Sequence, residues 1–106
     1  MSTLSSLRAR PGILALGADA PGAITVRVQM PELWDTIAVR CAKDTSVLAL
    51  KRAALDAFEQ HHHPVEDYVM KLRGFEVLDE GAPVEVAGAR EGSTFLLAYR
   101  RRRPVR

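Results

Sequence analysis

Residues 24–60 read ITVRVQMPELWDTIAVRCAKDTSVLALKRAALDAFEQ, and the period of their hydrophobic pattern changes once along the way. Ile24, Val26, Val28 and Met30 alternate with polar residues, the period-two signature of a half-buried strand. Pro31 ends that run, because proline has no amide to give to a central strand. Residues 35–42 alternate again, with Ile37, Val39 and Cys41 on one face, so the two runs predict a β-hairpin. After Lys43 and Asp44 the spacing lengthens. Val47, Leu50, Ala54 and Phe58 recur every three or four residues, Leu55 widens the stripe, and Thr45 or Ser46 supplies a hydroxyl to cap the first turn. This predicts an amphipathic helix from Val47 to about Gln60, with Lys51, Arg52, Asp56 and Glu59 facing away and Pro64 beyond its end.

Working outward, Tyr68, Met70 and Leu72 alternate with Val69, Lys71 and Arg73 until Gly74 breaks the strand. Val77 and Leu78 suggest a very short strand. Residues 83–92 are turn-rich, with Val84, Val86 and Ala89 as anchors, and residues 93–100 form the last strand with Phe95, Leu97 and Tyr99 on one face. A hairpin, one helix and further strands define an α+β domain, a mixed sheet of four to five strands packed on the helix. The 106 residues suffice for one domain, and a 47% hydrophobic composition builds a core without metal or disulfide staples.

The flanks carry different signals. Residues 1–22, rich in Ser, Gly and Pro, read as a flexible leader, residues 23–102 as the domain and residues 103–106 as a short basic tail. Arg8 and Arg10 precede an apolar stretch at residues 12–17, but it is shorter than the ~7–15 residues of a secretory core and Pro11 interrupts its start. Cys41 is the single cysteine, so no internal disulfide forms, and a reducing, cytoplasmic setting is expected. No apolar run approaches the roughly 18 residues of a membrane span, and no membrane partner is expected. The net charge is only +2, yet Arg100, Arg101, Arg102, Arg103 and Arg106 crowd the end while most acids lie between residues 56 and 91.

The element order resembles the ubiquitin-like β-grasp fold, and particular residues carry the resemblance. Thr45 stands where a threonine opens the helix of ubiquitin. Residues 68–81, YVMKLRGFEVLDEG, are similar to ubiquitin's third strand, glycine turn, short fourth strand and acidic turn. Residues 91–102 are similar to its last strand. The likeness covers residues 24–102 and implies fold more than function, because one fold hosts many functions. Modifiers and sulfur carriers of this group end in Gly-Gly, whose bare carboxylate is adenylated; here the end reads Arg103-Pro104-Val105-Arg106, so conjugation is not expected. The apolar patch by which ubiquitin is read is altered too, with Lys71 near its central isoleucine and Ala98 near its valine. Residues 67–74 also resemble the Tyr-x-x-Lys-x-x-Gly stretch in the Ras-binding domain of lipid kinases, a reminder that such sheets bind through exposed strand edges.

His61, His62 and His63 are consecutive, so they spread around a chain end instead of converging on a metal, and a solvated turn is expected. Cys41 is in phase with Ile37 and Val39, as a buried thiol would be. Trp34 is expected to anchor the hairpin end of the core; exposed, it would instead be an interface anchor. No nucleophile-base pair, phosphate loop or dinucleotide fingerprint occurs, so neither enzyme activity, cofactor nor small-molecule substrate is expected. With the apolar strand residues turned to the helix, the opposite face presents Arg27, Arg40, Val69, Lys71, Arg73, Leu96, Ala98 and Arg100, extended by Arg102. This pattern predicts a noncovalent protein-interaction module that docks an acidic protein. The alternative is nucleic-acid binding through the Arg-rich last strand and tail, weakened by the low net charge and by the lack of stacking aromatics on that face.

Overall fold

The computed structural model describes residues 13–17 and 19–100. Its elements are β1 (Leu14–Leu16), β2 (Ile24–Met30), β3 (Asp35–Cys41), α1 (Val47–Ala57), β4 (Tyr68–Leu72), β5 (Phe75–Glu76), the short helix α2 (Val84–Ala87) and β6 (Thr94–Tyr99). The strands form one mixed sheet in the order β1-β3-β2-β6-β4-β5. β2 and β6 run parallel at its centre, β1 runs parallel to β3, and the other neighbours are antiparallel. The α+β class with one main helix is therefore as the sequence predicts.

Both edges differ from the sequence reading. β1 lies inside the stretch expected as a flexible leader, where Leu14 and Leu16 pair with Val39 and Cys41 and pack against the core. Three residues are too few to display a period, so this strand left no readable pattern. Residues 1–12 and 18 of that leader and the basic tail at residues 103–106 lie outside the described residues. On the opposite edge, β5 falls at Phe75–Glu76 instead of Val77 and Leu78. Arg73 and Gly74 both take positive φ, 55° and 86°, so a two-residue turn sets Leu72 directly opposite Phe75 and starts the strand earlier. The turn-rich stretch at residues 83–92 also holds α2, ended by Gly88 at φ 110°.

The core is aliphatic, as the scarcity of aromatics requires. Val26, Val28, Val39, Leu50, Ala54, Met70, Phe95 and Leu97 have no exposed surface, and Phe58 and Leu72 are buried with them. Ile37, expected in the core, is half-buried near the hairpin end. Ser46, not Thr45, caps α1: its Oγ accepts from the Ala49 amide at 3.0 Å. The carbonyls of Ala82 and Glu80 accept from the Val47 and Leu48 amides, so the first-turn donors are satisfied by the loop that follows β5. The helix stops at Ala57, short of Gln60. Glu59 takes a left-handed φ of 60°, while the Glu59 and Gln60 amides return to the Asp56 and Leu55 carbonyls, a Schellman ending.

Lys51 overturns one part of the helix reading. It does not face away: it is 1% exposed, its Nζ donates to the Tyr68 carbonyl at 2.8 Å, and it pairs with Glu80 Oε1 at 2.7 Å. Counting from Val47 at ~100° per residue, Lys51 lies near 40°, nearer the stripe's centre than Leu55 at ~80°. The ammonium is thus carried through the core margin to tie α1 to the start of β4 and to the acidic turn. Arg52, Asp56 and Glu59 are exposed as expected.

Two buried acids set an expectation for pH. Burial pushes the Cys41 thiol above its ordinary pKa. The Tyr68 phenol is raised by burial first, then by Tyr99, Glu32 and Asp67. A folded value above the unfolded one leaves stability intact below the unfolded pKa and removes it as pH rises beyond. Those unfolded values are about 8.5 for cysteine and about 10 for tyrosine. The denaturation midpoint is therefore expected to fall as pH rises past about 8.5 and further past about 10, with Cys41→Ala flattening the lower part of the decline. An unchanged slope in that variant would remove Cys41 as its source.

Candidate interaction surface

The outer face of the sheet follows directly from the register. Gln29 pairs with Leu96, Leu96 with Lys71 and Lys71 with Glu76, forming one transverse row; Arg27 and Thr94 form the next, and Val69 and Ala98 the one on the other side. Arg27 and Lys71 are exposed on this face, and Leu96 and Ala98 are half-buried between them. Two strand spacings, about 10 Å, separate the β2 and β4 columns that carry the two cations. Arg40 is half-buried and donates through Nη1 to Thr25 Oγ1 at 3.0 Å, so its guanidinium is held toward β2.

Three of the expected face residues are placed otherwise. Val69, read as an exposed apolar centre, is 8% exposed. Glu76 in β5 and Arg100, which directly follows β6, form an ion pair from either side of β4, so their side chains bridge the column that holds Val69. The same pair engages Arg100, whose charge is then shared with a neighbour. Arg73 leaves the face altogether: the left-handed turn aims its guanidinium at the Gly88 carbonyl, 3.1 Å away. Arg102 lies outside the described residues. What remains together is Arg27 and Lys71 beside Leu96 and Ala98, with Arg40 farther along the same face in the row of Thr25.

Trp34 corrects a further expectation. It does not anchor the core but is 93% exposed. Met30, 2% exposed, fills that end of the core instead. Trp34 closes the 3-10 turn Pro31–Leu33 by donating its amide to the Pro31 carbonyl, and it does so at φ 54°, ψ 41°. A left-handed conformation costs a bulky residue about 1–2 kcal/mol, which glycine would avoid. The Tyr99 amide donates to Glu32 Oε2 at 3.2 Å, so this turn is held against the end of β6, beside Arg100. Sequence reasoning had one available sign, a tryptophan placed after Pro31 and outside both alternating runs.

The histidine run is a turn, as expected. His63 stacks on Tyr99 with ring centroids 4.3 Å apart, and Tyr99 meets Tyr68 edge-on at 5.5 Å. His61 Nε2 lies 3.7 Å from Asp56 Oδ1. Among the described residues, no group of three His, Cys, Asp or Glu is placed to hold a metal, and no helix is long and apolar enough to cross a membrane.

The architecture has close structural counterparts. The ubiquitin-like domain of an Arabidopsis thaliana protein superposes with a TM-score of 0.63 at 18% identity, covering 83% of this chain and 88% of that one. Ubiquitin of Caldiarchaeum subterraneum gives 0.64 at 15% identity, covering 76% and 96%. The UBL domain of Plasmodium falciparum Dsk2 gives 0.58 at 23% identity, covering 73% and 97%. No family model matches the sequence, and no curated protein matches it either. The chain therefore has the ubiquitin-like β-grasp fold, established by structure at low sequence identity.

Proposed function

We propose that the protein is a noncovalent interaction module that docks an acidic protein surface through the outer face of its sheet. The observation that carries this reading is the pair of exposed cations, Arg27 and Lys71, on separate strands of a face whose centre is Leu96 and Ala98. Arg40 extends the field, and such a field steers acidic partners and weakens with salt. Trp34, at the hairpin tip, offers a second contact: an exposed aromatic held in a costly conformation suits an interface anchor better than a structural role. The ubiquitin-like fold is compatible with this reading without dictating it.

The test is affinity capture at physiological salt, followed by binding measurements on the captured protein. Arg27→Glu with Lys71→Glu should weaken that binding by more than tenfold while shifting stability by under about 0.5 kcal/mol, as surface changes usually do. Leu96→Ala should weaken it with a shallower salt dependence. Undiminished binding by the double charge reversal would reduce the outer face to a solvated surface. Capture of RNA or DNA, lost on removing residues 101–106 alone, would favour the nucleic-acid reading.

A further inference from the structure

The β5 edge of the sheet carries a second surface, on different residues from the outer-face site. Phe75, Leu78 and Val86 are 77%, 84% and 72% exposed. They come from β5, the extended stretch after it and α2, yet all three line one open groove of about 400 Å³. Leu72, Val77, Ala82 and Ala87 complete its apolar lining. Scattered surface hydrophobes need no explanation, but three large ones converging from separate segments on one groove mark a binding site.

The backbone beside this groove is also open. β5 pairs only with β4 and ends the sheet. Leu72 stands opposite Phe75, and the Val77 amide donates to the Met70 carbonyl, so the intervening Glu76 turns its amide and carbonyl toward the free edge. An added strand would find main-chain partners there and apolar room for alternate side chains in the groove. Charge selects its polar residues. Asp79 and Glu76, the latter paired with Arg100, line the groove and Glu85 is exposed beside Val86, while the cation lining it among the described residues, Arg73, is directed at the Gly88 carbonyl. Two copies joined about a twofold axis at this edge would bring the same acids together, which disfavours self-pairing.

We infer that the β5 edge and its groove bind an extended peptide of alternating apolar and basic residues from another protein. This site is separate from the outer face, and its test does not depend on that reading. The full chain, labelled with nitrogen-15, is titrated with the synthetic peptide Lys-Val-Lys-Val-Lys-Val-Lys and, in parallel, with Glu-Val-Glu-Val-Glu-Val-Glu. Amide shifts are expected at residues 76–79 and 84–87 with the lysine peptide, at least tenfold tighter than with the glutamate peptide. Leu78→Ser with Val86→Ser, both at exposed positions, should leave the melting temperature within a few degrees and weaken binding at least tenfold. Three outcomes would overturn the inference: no shifts at those residues, equal binding by the serine variant, or shifts there that grow with protein concentration alone and so identify a second copy as the occupant.

Discussion

Lys51→Ala is expected to cost about 3–5 kcal/mol of unfolding free energy, the range for breaking a buried charge pair by removing one partner. The loss has identifiable parts. The Tyr68 carbonyl accepts from Nζ in the interior, and without that donor it keeps its desolvation penalty of about 1–3 kcal/mol. Glu80 is 22% exposed on its side chain, so its carboxylate regains water and contributes less. The lysine stem fills space against the core, and alanine leaves that volume empty. Lys51→Met keeps the stem and so separates packing from polarity: it should recover part of the loss but not all of it. Urea denaturation followed by circular dichroism measures both variants. A loss under 1 kcal/mol for alanine would mean that the ammonium is not the tie between helix, strand and acidic turn that its two short contacts indicate.

Leu50→Ala is expected to cost about 2–5 kcal/mol, the range for truncating a buried leucine. Leu50 has no exposed surface and sits in the middle of the buried stripe of α1, facing a sheet whose central residues are equally dry. Neighbours on a regular sheet cannot collapse far into the space left behind, so the cavity contribution should persist. Arg52→Ala, on the exposed side of the same helix, should stay within about 0.5 kcal/mol and serves as the control. If both substitutions cost the same, the assignment of the buried face is wrong.

The centre of this fold was legible because its periods are clean. Alternation in β2 and β3, then three-and-four spacing in α1, defined the hairpin, the helix and their inward faces from the residues alone. Lys51 is misread by chemical type, although its position in the stripe points inward; a charge at a core position is a sign of a buried partner, and here the partners, the Tyr68 carbonyl and Glu80, lie 17 and 29 residues further along the chain, beyond any local pattern. Edge strands were harder, since two or three residues show no period and their pairing is set by turn geometry. The candidate surface was legible only in outline. Alternation assigned Arg27, Lys71 and Leu96 to the outer face, but it had no means to foresee that Glu76 and Arg100 bridge across Val69, or that Arg73 bends away at a turn. Those depend on cross-strand neighbours, which a linear reading does not contain.

Trp34 has an optical consequence. It is the chain's single tryptophan, and its indole is 93% in water while the protein is folded. Unfolding changes the surroundings of that ring very little, so intrinsic emission excited in the indole band is nearly blind to the folding transition. The stacked and edge-on rings of His63, Tyr68 and Tyr99, by contrast, are asymmetric only while the chain is folded, and their near-ultraviolet dichroism reports its tertiary order. The same exposure makes the indole a clean reporter of encounter: a partner that covers the hairpin tip removes water from this single indole, and the emission shifts to the blue without any contribution from the core.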